Sequence, residues 1–286
     1  MSRQLSPRTP ATSGLSRGLR YGDGVFATVG VRAGVLLDAE LQMSRLNDAA
    51  TAIGLAPPDG FEHPASAAES LAAIVRGLEP GVAGGVARLQ WFAGAGPRGF
   101  GRPTMQAVAL VDLSPEPETR TPSLVILADG RVPIPALPNH KTCSALANVL
   151  CAREAARLGA DAALRVVSGV LLETDSSNVF WLREGTLFTP ADTLPLYAGS
   201  VRERVLECAP SIGLGVEEGE FGTDALVGAE TVFLTNAARG IEVVRSVDGD
   251  ALGEAPEALG RLAAAVDARR IERGVRCAAG PLDAHA

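Results

Sequence analysis

Lysine is almost absent from this chain of 286 residues. Of the 26 Lys and Arg residues one is a lysine, Lys141, so the other 25 are arginines. Arginine supplies surface charge, but it stays protonated at ordinary pH. A lysine amine can lose its proton and form a Schiff base with a carbonyl. The bias toward arginine explains the rarity of lysine, and it makes Lys141 a candidate for covalent chemistry.

Cysteine and histidine are scarce, and neither is arranged for metal binding. The four cysteines show no CxxC spacing and the three histidines no ligand spacing, so we expect reduced thiols and no structural metal. The sequence also lacks an apolar run of membrane-spanning length and the apolar segment of a secretory signal. These features favour a cytoplasmic protein that spans no membrane.

The remaining composition is that of an acidic globular protein. Hydrophobic residues make up 47% and charged residues 21%, and the net charge is −7. This balance excludes extensive disorder, and the negative charge argues against a nucleic-acid partner. The length allows one large domain or two smaller ones.

Helical and strand patterns alternate along the chain and predict a mixed fold in two unequal parts. The segment 113–123, LSPEPETRTPS, is rich in proline and charge, which is typical of a linker. We therefore predict a small N-terminal α/β domain over residues 1–112 and a larger C-terminal α/β domain over residues 124–286. The predicted helices cover residues 38–53, 65–78, 142–159, 200–209 and 256–274. We expect the first twenty residues to be irregular.

A glycine motif in the N-terminal part does not indicate a dinucleotide site. Gly94, Gly96 and Gly99 form GxGxxG after a predicted strand. A dinucleotide-binding motif needs a helix directly afterwards, whose N-terminus binds the pyrophosphate. Here Pro103 follows and then another strand begins, so the glycines are predicted to form a strand-to-strand loop.

Several short stretches place polar or small residues at the predicted ends of strands and helices. In ETDSSNVF, Glu173 follows a short apolar strand, and in YAGSVRERV a helix begins near Ser200. A helix start of this kind offers backbone N–H groups to a phosphate. Taken singly, each stretch has an ordinary structural explanation. Glu173 could be a solvated carboxylate at the end of a strand, and Ser200 could be an N-cap residue.

Six stretches in this order resemble the class IV aminotransferases, also called fold-type IV pyridoxal phosphate enzymes. They are RGLRYGDGVF, SRLNDAA, HKT, ETDSSNVF, AGSVRERV and FLTNAARGI, and they extend from about residue 17 to about residue 246. The resemblance implies an α+β fold of two unequal α/β lobes, as in D-amino acid aminotransferases. It also implies pyridoxal 5'-phosphate as cofactor, a small-molecule amine as substrate and a homodimer.

The resemblance gives roles to particular residues. Lys141 would hold pyridoxal phosphate through a Schiff base and then transfer protons as base and acid. Glu173 would pair with the pyridine nitrogen and keep it protonated. Arg45 would bind the cofactor phosphate through its side chain. Backbone N–H groups would bind it at two further places, near Ser200 and Val201 and near Asn236 and Ala237.

Details on the substrate side favour one branch of the family. Leu146 stands where the branched-chain aminotransferases carry a tyrosine. D-amino acid aminotransferases hold the substrate carboxylate with Tyr, Arg and His, and the matching positions here are Phe26, Arg98 and Phe100. The PRGF loop resembles the Arg-Gly-aromatic loop of aminodeoxychorismate lyases. We therefore predict that Arg98 binds a substrate carboxylate and that Phe26 contacts the substrate.

The predicted activity is that of a 4-amino-4-deoxychorismate lyase, which forms 4-aminobenzoate and pyruvate in folate biosynthesis. The alternative is a class IV aminotransferase that acts on a branched-chain amino acid, a D-amino acid or a related amine. A third possibility is a degenerate relative that serves as a binding or scaffold protein. The joint presence of Lys141, Glu173 and Arg45 argues against it.

Overall fold

The computed structural model describes residues 3–5, 17–94, 99–101 and 107–278, and these form six α-helices and sixteen strands. The helices are α1 (Arg17–Tyr21), α2 (Ala39–Ala52), α3 (Pro64–Leu78), α4 (Leu146–Arg157), α5 (Ser200–Cys208) and α6 (Glu257–Glu272). The first eight strands are β1 (Arg3–Leu5), β2 (Gly24–Arg32), β3 (Val35–Leu36), β4 (Gly84–Ala93), β5 (Ala107–Ser114), β6 (Ser123–Leu127), β7 (Ala162–Val167) and β8 (Val170–Leu171). The others are β9 (Asn178–Arg183), β10 (Thr186–Pro190), β11 (Gly215–Gly219), β12 (Thr231–Asn236), β13 (Gly240–Val243), β14 (Ser246–Val247), β15 (Asp250–Ala251) and β16 (Val275–Arg276). Within the described residues, no helix is both long and apolar enough to cross a membrane.

The chain divides into two compact units. Unit 1 contains the chain up to Pro117, the short segment His140–Ser144 and the C-terminal stretch from Arg270 onward. Unit 2 contains Glu118–Asn139 and Ala145–Arg269. The first division lies within the predicted linker, although the ends of that linker belong to β5 and β6. Two segments of the predicted C-terminal domain, His140–Ser144 and the stretch from Arg270 onward, thus belong to unit 1. No local sequence pattern predicts this return of the chain.

Unit 1 is built on a six-stranded sheet in the order β1-β5-β4-β2-β3-β16. Strands β2 and β4 pair antiparallel over their whole length, from Gly24 opposite Phe92 to Arg32 opposite Gly84. Alternate side chains of a strand point to opposite faces. One face of β2 is therefore fully apolar and belongs to the same hydrophobic core as α2 and α3, through Val25, Ala27, Val29, Val31, Met43, Leu46, Leu71 and Val75.

Unit 2 contains two five-stranded sheets. Their strand orders are β11-β10-β9-β12-β13 and β15-β14-β6-β7-β8. The residues of β9 and β12 alternate between two cores, since Phe180 and Phe233 belong to one and Trp181 and Val232 to the other. The rings of Phe180 and Phe233 stack with centroids 5.1 Å apart. Strands β9 and β12 of the first of these sheets are thus buried on both faces. This burial fixes the positions of the residues at their ends.

Most predicted elements are confirmed, with two local corrections. The helix predicted from residue 142 begins only at Leu146, because Thr142 and Cys143 pair with β2 instead. The N-terminal twenty residues are not wholly irregular, since Arg17–Tyr21 form α1 and Arg3–Leu5 pair with β5. The glycine-rich segment after β4 joins two neighbouring antiparallel strands, as expected; Gly96 lies outside the described residues.

Candidate active site

Lys141 lies beside the N-terminal end of β2. The N–H of Phe26 donates to the Lys141 carbonyl at 3.0 Å, the N–H of Cys143 donates to the Gly24 carbonyl at 2.8 Å, and Val25 forms a bridge with Thr142. In an antiparallel pair, opposed residues place their side chains on the same face. This register therefore puts the side chains of Lys141 and Phe26 on the face of the sheet opposite to the core.

Around Lys141 that face carries an aromatic ring and a second cation. The Lys141 Nζ atom lies 5.5 Å from the centre of the Phe26 ring, and the Arg88 guanidinium carbon lies 3.9 Å from the same centre. Gln90, two residues further along β4, donates to the Cys143 sulfur at 3.8 Å. Burial lowers the pKa of Arg88, but a guanidinium remains charged at physiological pH. The Arg88 guanidinium thus lies over one face of the Phe26 ring, and a positive charge fixed in this way suits a substrate that carries a carboxylate.

Arg88 is a candidate substrate residue that the sequence analysis missed. It occupies one of the half-buried positions of β4 that alternate with the buried Ala87 and Leu89. The available signal was a charged residue in the middle of a strand that is otherwise uncharged and alternates in burial. Arg88 lies opposite Thr28 of β2, and Phe26, which was predicted to contact the substrate, lies opposite Gln90. Arg88 and Phe26 are therefore diagonal neighbours on one face of the sheet, which only the register between β2 and β4 reveals.

The predicted substrate loop is described only at its end. Arg98 lies outside the described residues, so its role remains a prediction. The carbonyl of the next residue, Gly99, accepts a hydrogen bond from the Arg17 guanidinium (2.8 Å). The Gly99 N–H donates to the Tyr21 hydroxyl (3.1 Å). Phe100 is 88% exposed and its ring centre lies 5.4 Å from that of Tyr21. Helix α1 therefore holds the described end of this loop.

Arg45, the predicted phosphate ligand of unit 1, lies on α2. It is half-buried, and its neighbour Leu46 is buried in the core. The helix thus holds the start of the arginine side chain in place, and the Nη1 atom of its guanidinium is buried. This arrangement is compatible with phosphate binding and leaves the role of Arg45 as a prediction.

In unit 2, Glu173 is a buried carboxylate and not the solvated surface group that its sequence context also allowed. Only 9% of the residue is exposed. It follows β8 and forms a bridge with Asn178, the first residue of β9. The side-chain nitrogen of Asn178 lies 3.4 Å from Glu173 Oε2. The backbone N–H of Arg165 donates to the backbone carbonyl of Glu173 at 3.1 Å. A buried, hydrogen-bonded carboxylate is suited to pair with a protonated ring nitrogen.

Helix α5 begins at Ser200 with its N-cap at Gly199. The N-cap residue is a glycine and has no side chain with which to cap the helix; its own N–H donates to the Asn178 side-chain oxygen at 3.0 Å. Ser200 and Val201 are only 2% and 1% exposed. The positive end of a helix attracts phosphate, and its first N–H groups are the donors that bind it.

The predicted phosphate loop after β12 is ordered by its own asparagine. The Asn236 side-chain oxygen accepts hydrogen bonds from the N–H groups of Ala238 (3.1 Å) and Arg239 (2.9 Å). The side-chain nitrogen donates to Ser177 (3.1 Å) and to the buried carboxylate of Glu242 (2.9 Å). The turn between β12 and β13 therefore has a fixed shape, which backbone recognition of a phosphate requires.

Each unit, taken by itself, carries groups that suit pyridoxal phosphate. Unit 1 supplies the single lysine amine of the chain. Unit 2 supplies the buried carboxylate of Glu173, the start of α5 and the turn that contains Ala237.

A model of the family "Amino-transferase class IV" matches residues 24–247, and the chain belongs to this family. D-alanine aminotransferase of Bacillus licheniformis is 27% identical over 242 residues, which are 83% of each chain. Aminodeoxychorismate lyase of Vibrio harveyi is 26% identical over 250 residues, 84% of this chain and 89% of the lyase. A crystal structure of the branched-chain aminotransferase of Thermoproteus uzoniensis with norvaline superimposes with a TM-score of 0.84 over 96% of each chain, at 21% identity.

These similarities confirm the predicted family, fold and cofactor. The fold is that of the fold-type IV enzymes, and the family depends on pyridoxal 5'-phosphate. The chain is therefore a pyridoxal phosphate enzyme of class IV. The family contains aminotransferases as well as a lyase, because one scaffold and one cofactor serve both reactions.

Proposed function

We propose that the chain is a 4-amino-4-deoxychorismate lyase that releases 4-aminobenzoate and pyruvate. The observation that carries this proposal is the position of the Arg88 guanidinium 3.9 Å from the centre of the Phe26 ring, on the face that also presents Lys141. The substrate is an unsaturated six-membered ring with an amine and two carboxylates. Phe26 offers a surface for the ring, Arg88 a charge for a carboxylate and Lys141 an amine for the chemistry.

Pyridoxal phosphate, when bound, supplies an electron sink for the charge that develops when a proton leaves the carbon next to the substrate amine. Lys141 would hold the cofactor through its Nζ atom, and its amine would be free to act as a base once the substrate is bound. The freed Lys141 amine then removes the proton from the amine-bearing ring carbon. The electron pair forms a ring double bond as the bond between the ring and the enolpyruvyl oxygen breaks. The ring becomes aromatic, and the enolpyruvate takes up a proton and becomes pyruvate.

The other residues of the proposed site hold the cofactor and the substrate in position and balance their charges. Glu173 keeps a negative charge opposite the pyridine nitrogen, so that the nitrogen stays protonated. Arg45 and the backbone N–H groups of Ser200, Val201, Asn236 and Ala237 hold the phosphate, and Arg98 contributes a second cation for the substrate carboxylates. Two cations match the two carboxylates of the substrate.

The alternative proposal is an aminotransferase for a branched-chain amino acid, a D-amino acid or a related amine. The similarity to D-alanine aminotransferase, 27% over most of the chain, favours it. The same proton transfer by Lys141 serves that reaction, but the amino group then passes to a keto acid. The two reactions therefore differ in their need for a second substrate.

The deciding experiment omits the keto acid. Purified, cofactor-loaded protein is mixed with 4-amino-4-deoxychorismate, and 4-aminobenzoate and pyruvate are measured in the same samples, with Lys141→Ala as control. We expect equal amounts of both products over many turnovers. No release by protein that binds the cofactor would contradict the lyase and favour the aminotransferase, for which amino donors of both configurations would then be assayed.

We also propose that the enzyme is a cytoplasmic homodimer and acts in folate synthesis. Light scattering on the loaded protein would give twice the mass of one chain, and a monomer of full activity would contradict the dimer.

A further inference from the structure

We propose that Asn178 is a positioning residue that joins the Glu173 carboxylate to the start of α5. This inference rests on the proposed function, because it concerns how the chain holds the cofactor of that function. Asn178 would keep the partner of the ring nitrogen and the donors to the phosphate in one rigid frame. It has none of the roles that the sequence resemblance assigns.

The side-chain amide of Asn178 uses each of its polar atoms within unit 2. Its nitrogen donates to the Tyr197 carbonyl at 2.7 Å and lies 3.4 Å from Glu173 Oε2. Its oxygen accepts the N–H of Gly199 at 3.0 Å. The residue is only 5% exposed, so these bonds compete little with water. One side chain therefore connects the carboxylate to both sides of the turn that begins α5.

The chemistry of these three contacts requires an amide. A carbonyl and a carboxylate both need a donor, and an N–H needs an acceptor, so a single group has to supply both functions. An aspartate has the same shape but no donor. It would also place a second negative charge next to Glu173. The donated N–H favours the ionised form of Glu173, which is the form that pairs with a protonated ring nitrogen.

The fit between Asn178 and Gly199 leaves no space for another atom. A Cβ atom at Gly199 would lie 2.6 Å from the Asn178 side-chain oxygen, well inside van der Waals contact. Gly199 has an extended backbone with φ −68°, so its glycine is explained by this close approach and not by a left-handed conformation. An alanine there would displace the amide without adding any charge.

Two variants separate the positional effect from the electrostatic effect. In Asn178→Asp we expect the affinity for pyridoxal phosphate to fall at least tenfold. The pH midpoint of the bound cofactor's visible absorbance should also rise, because the added negative charge stabilises protonated forms. In Gly199→Ala we expect a comparable loss of affinity with an unchanged midpoint. Gly260→Ala is the control, since a Cβ there meets no described atom within 4 Å, and it should change neither value.

The measurements are equilibrium dialysis of pyridoxal phosphate and absorbance titration of the loaded proteins, with urea denaturation to verify folding. Unchanged affinity and midpoint in Asn178→Asp would overturn the inference. If Asn178→Asp does not fold, Gly199→Ala decides, and cofactor affinity equal to wild type would overturn the inference. Neither readout needs a substrate, so a failed lyase assay would reject the proposed reaction and leave this test intact.

Discussion

The backbone N–H of Phe26 donates to the carbonyl of Lys141 at 3.0 Å. The segment that contains the lysine therefore pairs with the N-terminal end of β2 in the unit 1 sheet. The bridge between Val25 and Thr142 fixes the register of this contact. The alternation of side chains then places Lys141 on the face that Phe26 and Arg88 occupy. The position of the lysine amine is thus set by strand pairing.

The first prediction concerns the amine itself. Lys141→Ala keeps the backbone pairing with Phe26 but removes the nucleophile and base, so turnover should fall by at least about a thousandfold. The visible absorbance of covalently held cofactor should disappear after dialysis. Because the side chain is only half-buried, the free energy of unfolding should change by less than about 1 kcal/mol. Absorbance, activity and urea denaturation measure the three effects.

Lys141→Arg is the matched control for charge. It retains the cation and should be as inactive as the alanine variant, since a guanidinium is not a usable nucleophile. Substantial activity in either variant would reject the assignment of Lys141.

A second prediction tests Arg88 as the counter-charge of a substrate carboxylate. Arg88→Gln should weaken substrate binding by about 1.5–3 kcal/mol, the range for a hydrogen bond to a charged group. KM should therefore rise roughly tenfold to a hundredfold, while the affinity for pyridoxal phosphate stays the same. Arg32→Gln is the control, because Arg32 lies on β2 and faces the exposed Glu116 at 3.8 Å. Equal KM values for both variants would contradict the role of Arg88.

A third prediction concerns the buried ion pair of unit 1. Arg270 and Asp38 have side chains 1% and 0% exposed, and their charged atoms are 3.3 Å apart. Replacing Arg270 with methionine removes the cation but leaves the buried carboxylate, which typically costs about 3–5 kcal/mol. The control Arg261→Met removes an exposed pair with Glu257 and should cost at most about 0.5 kcal/mol.

Urea denaturation measures both variants, and a similar midpoint for the two would refute the importance of the pair. Asp38→Asn combined with Arg270→Met should recover part of the loss, because no charge is then left buried.

The fourth prediction is a pH dependence of stability in unit 2. Asp161 accepts hydrogen bonds from the Ser123 N–H (2.8 Å) and hydroxyl (2.9 Å), and these, with Arg245 nearby, hold its pKa below the ordinary value of 3.8. A lowered folded-state pKa stabilises the fold fully above the unfolded value, and the contribution is lost as pH falls through the folded value. The Asp161 side chain is 40% exposed, so the contribution should be below about 1 kcal/mol.

Asp161→Asn should therefore be less stable than wild type at pH 7, and the difference should shrink toward pH 3. Asp192→Asn, at an exposed position, is the control. A difference that is constant between the two pH values would contradict the electrostatic explanation.

The sequence alone determined the family, the fold and the cofactor. The six stretches from RGLRYGDGVF to FLTNAARGI are local features, and their order along the chain carries the resemblance from which all three were predicted. The elements with strong periodicity, such as α2, α3 and β4, were likewise predictable, because the pattern of burial repeats along their own residues.

Only the tertiary structure decided which residues surround these groups. Arg88 meets Phe26 through the register of two strands, and Asn178 meets Gly199 through the return of the chain from β10 to α5. The return of His140–Ser144 to unit 1 likewise depends on hydrogen bonds to β2. Contacts of this kind join residues far apart in sequence. Their geometry follows from strand pairing and close packing, which no local pattern encodes.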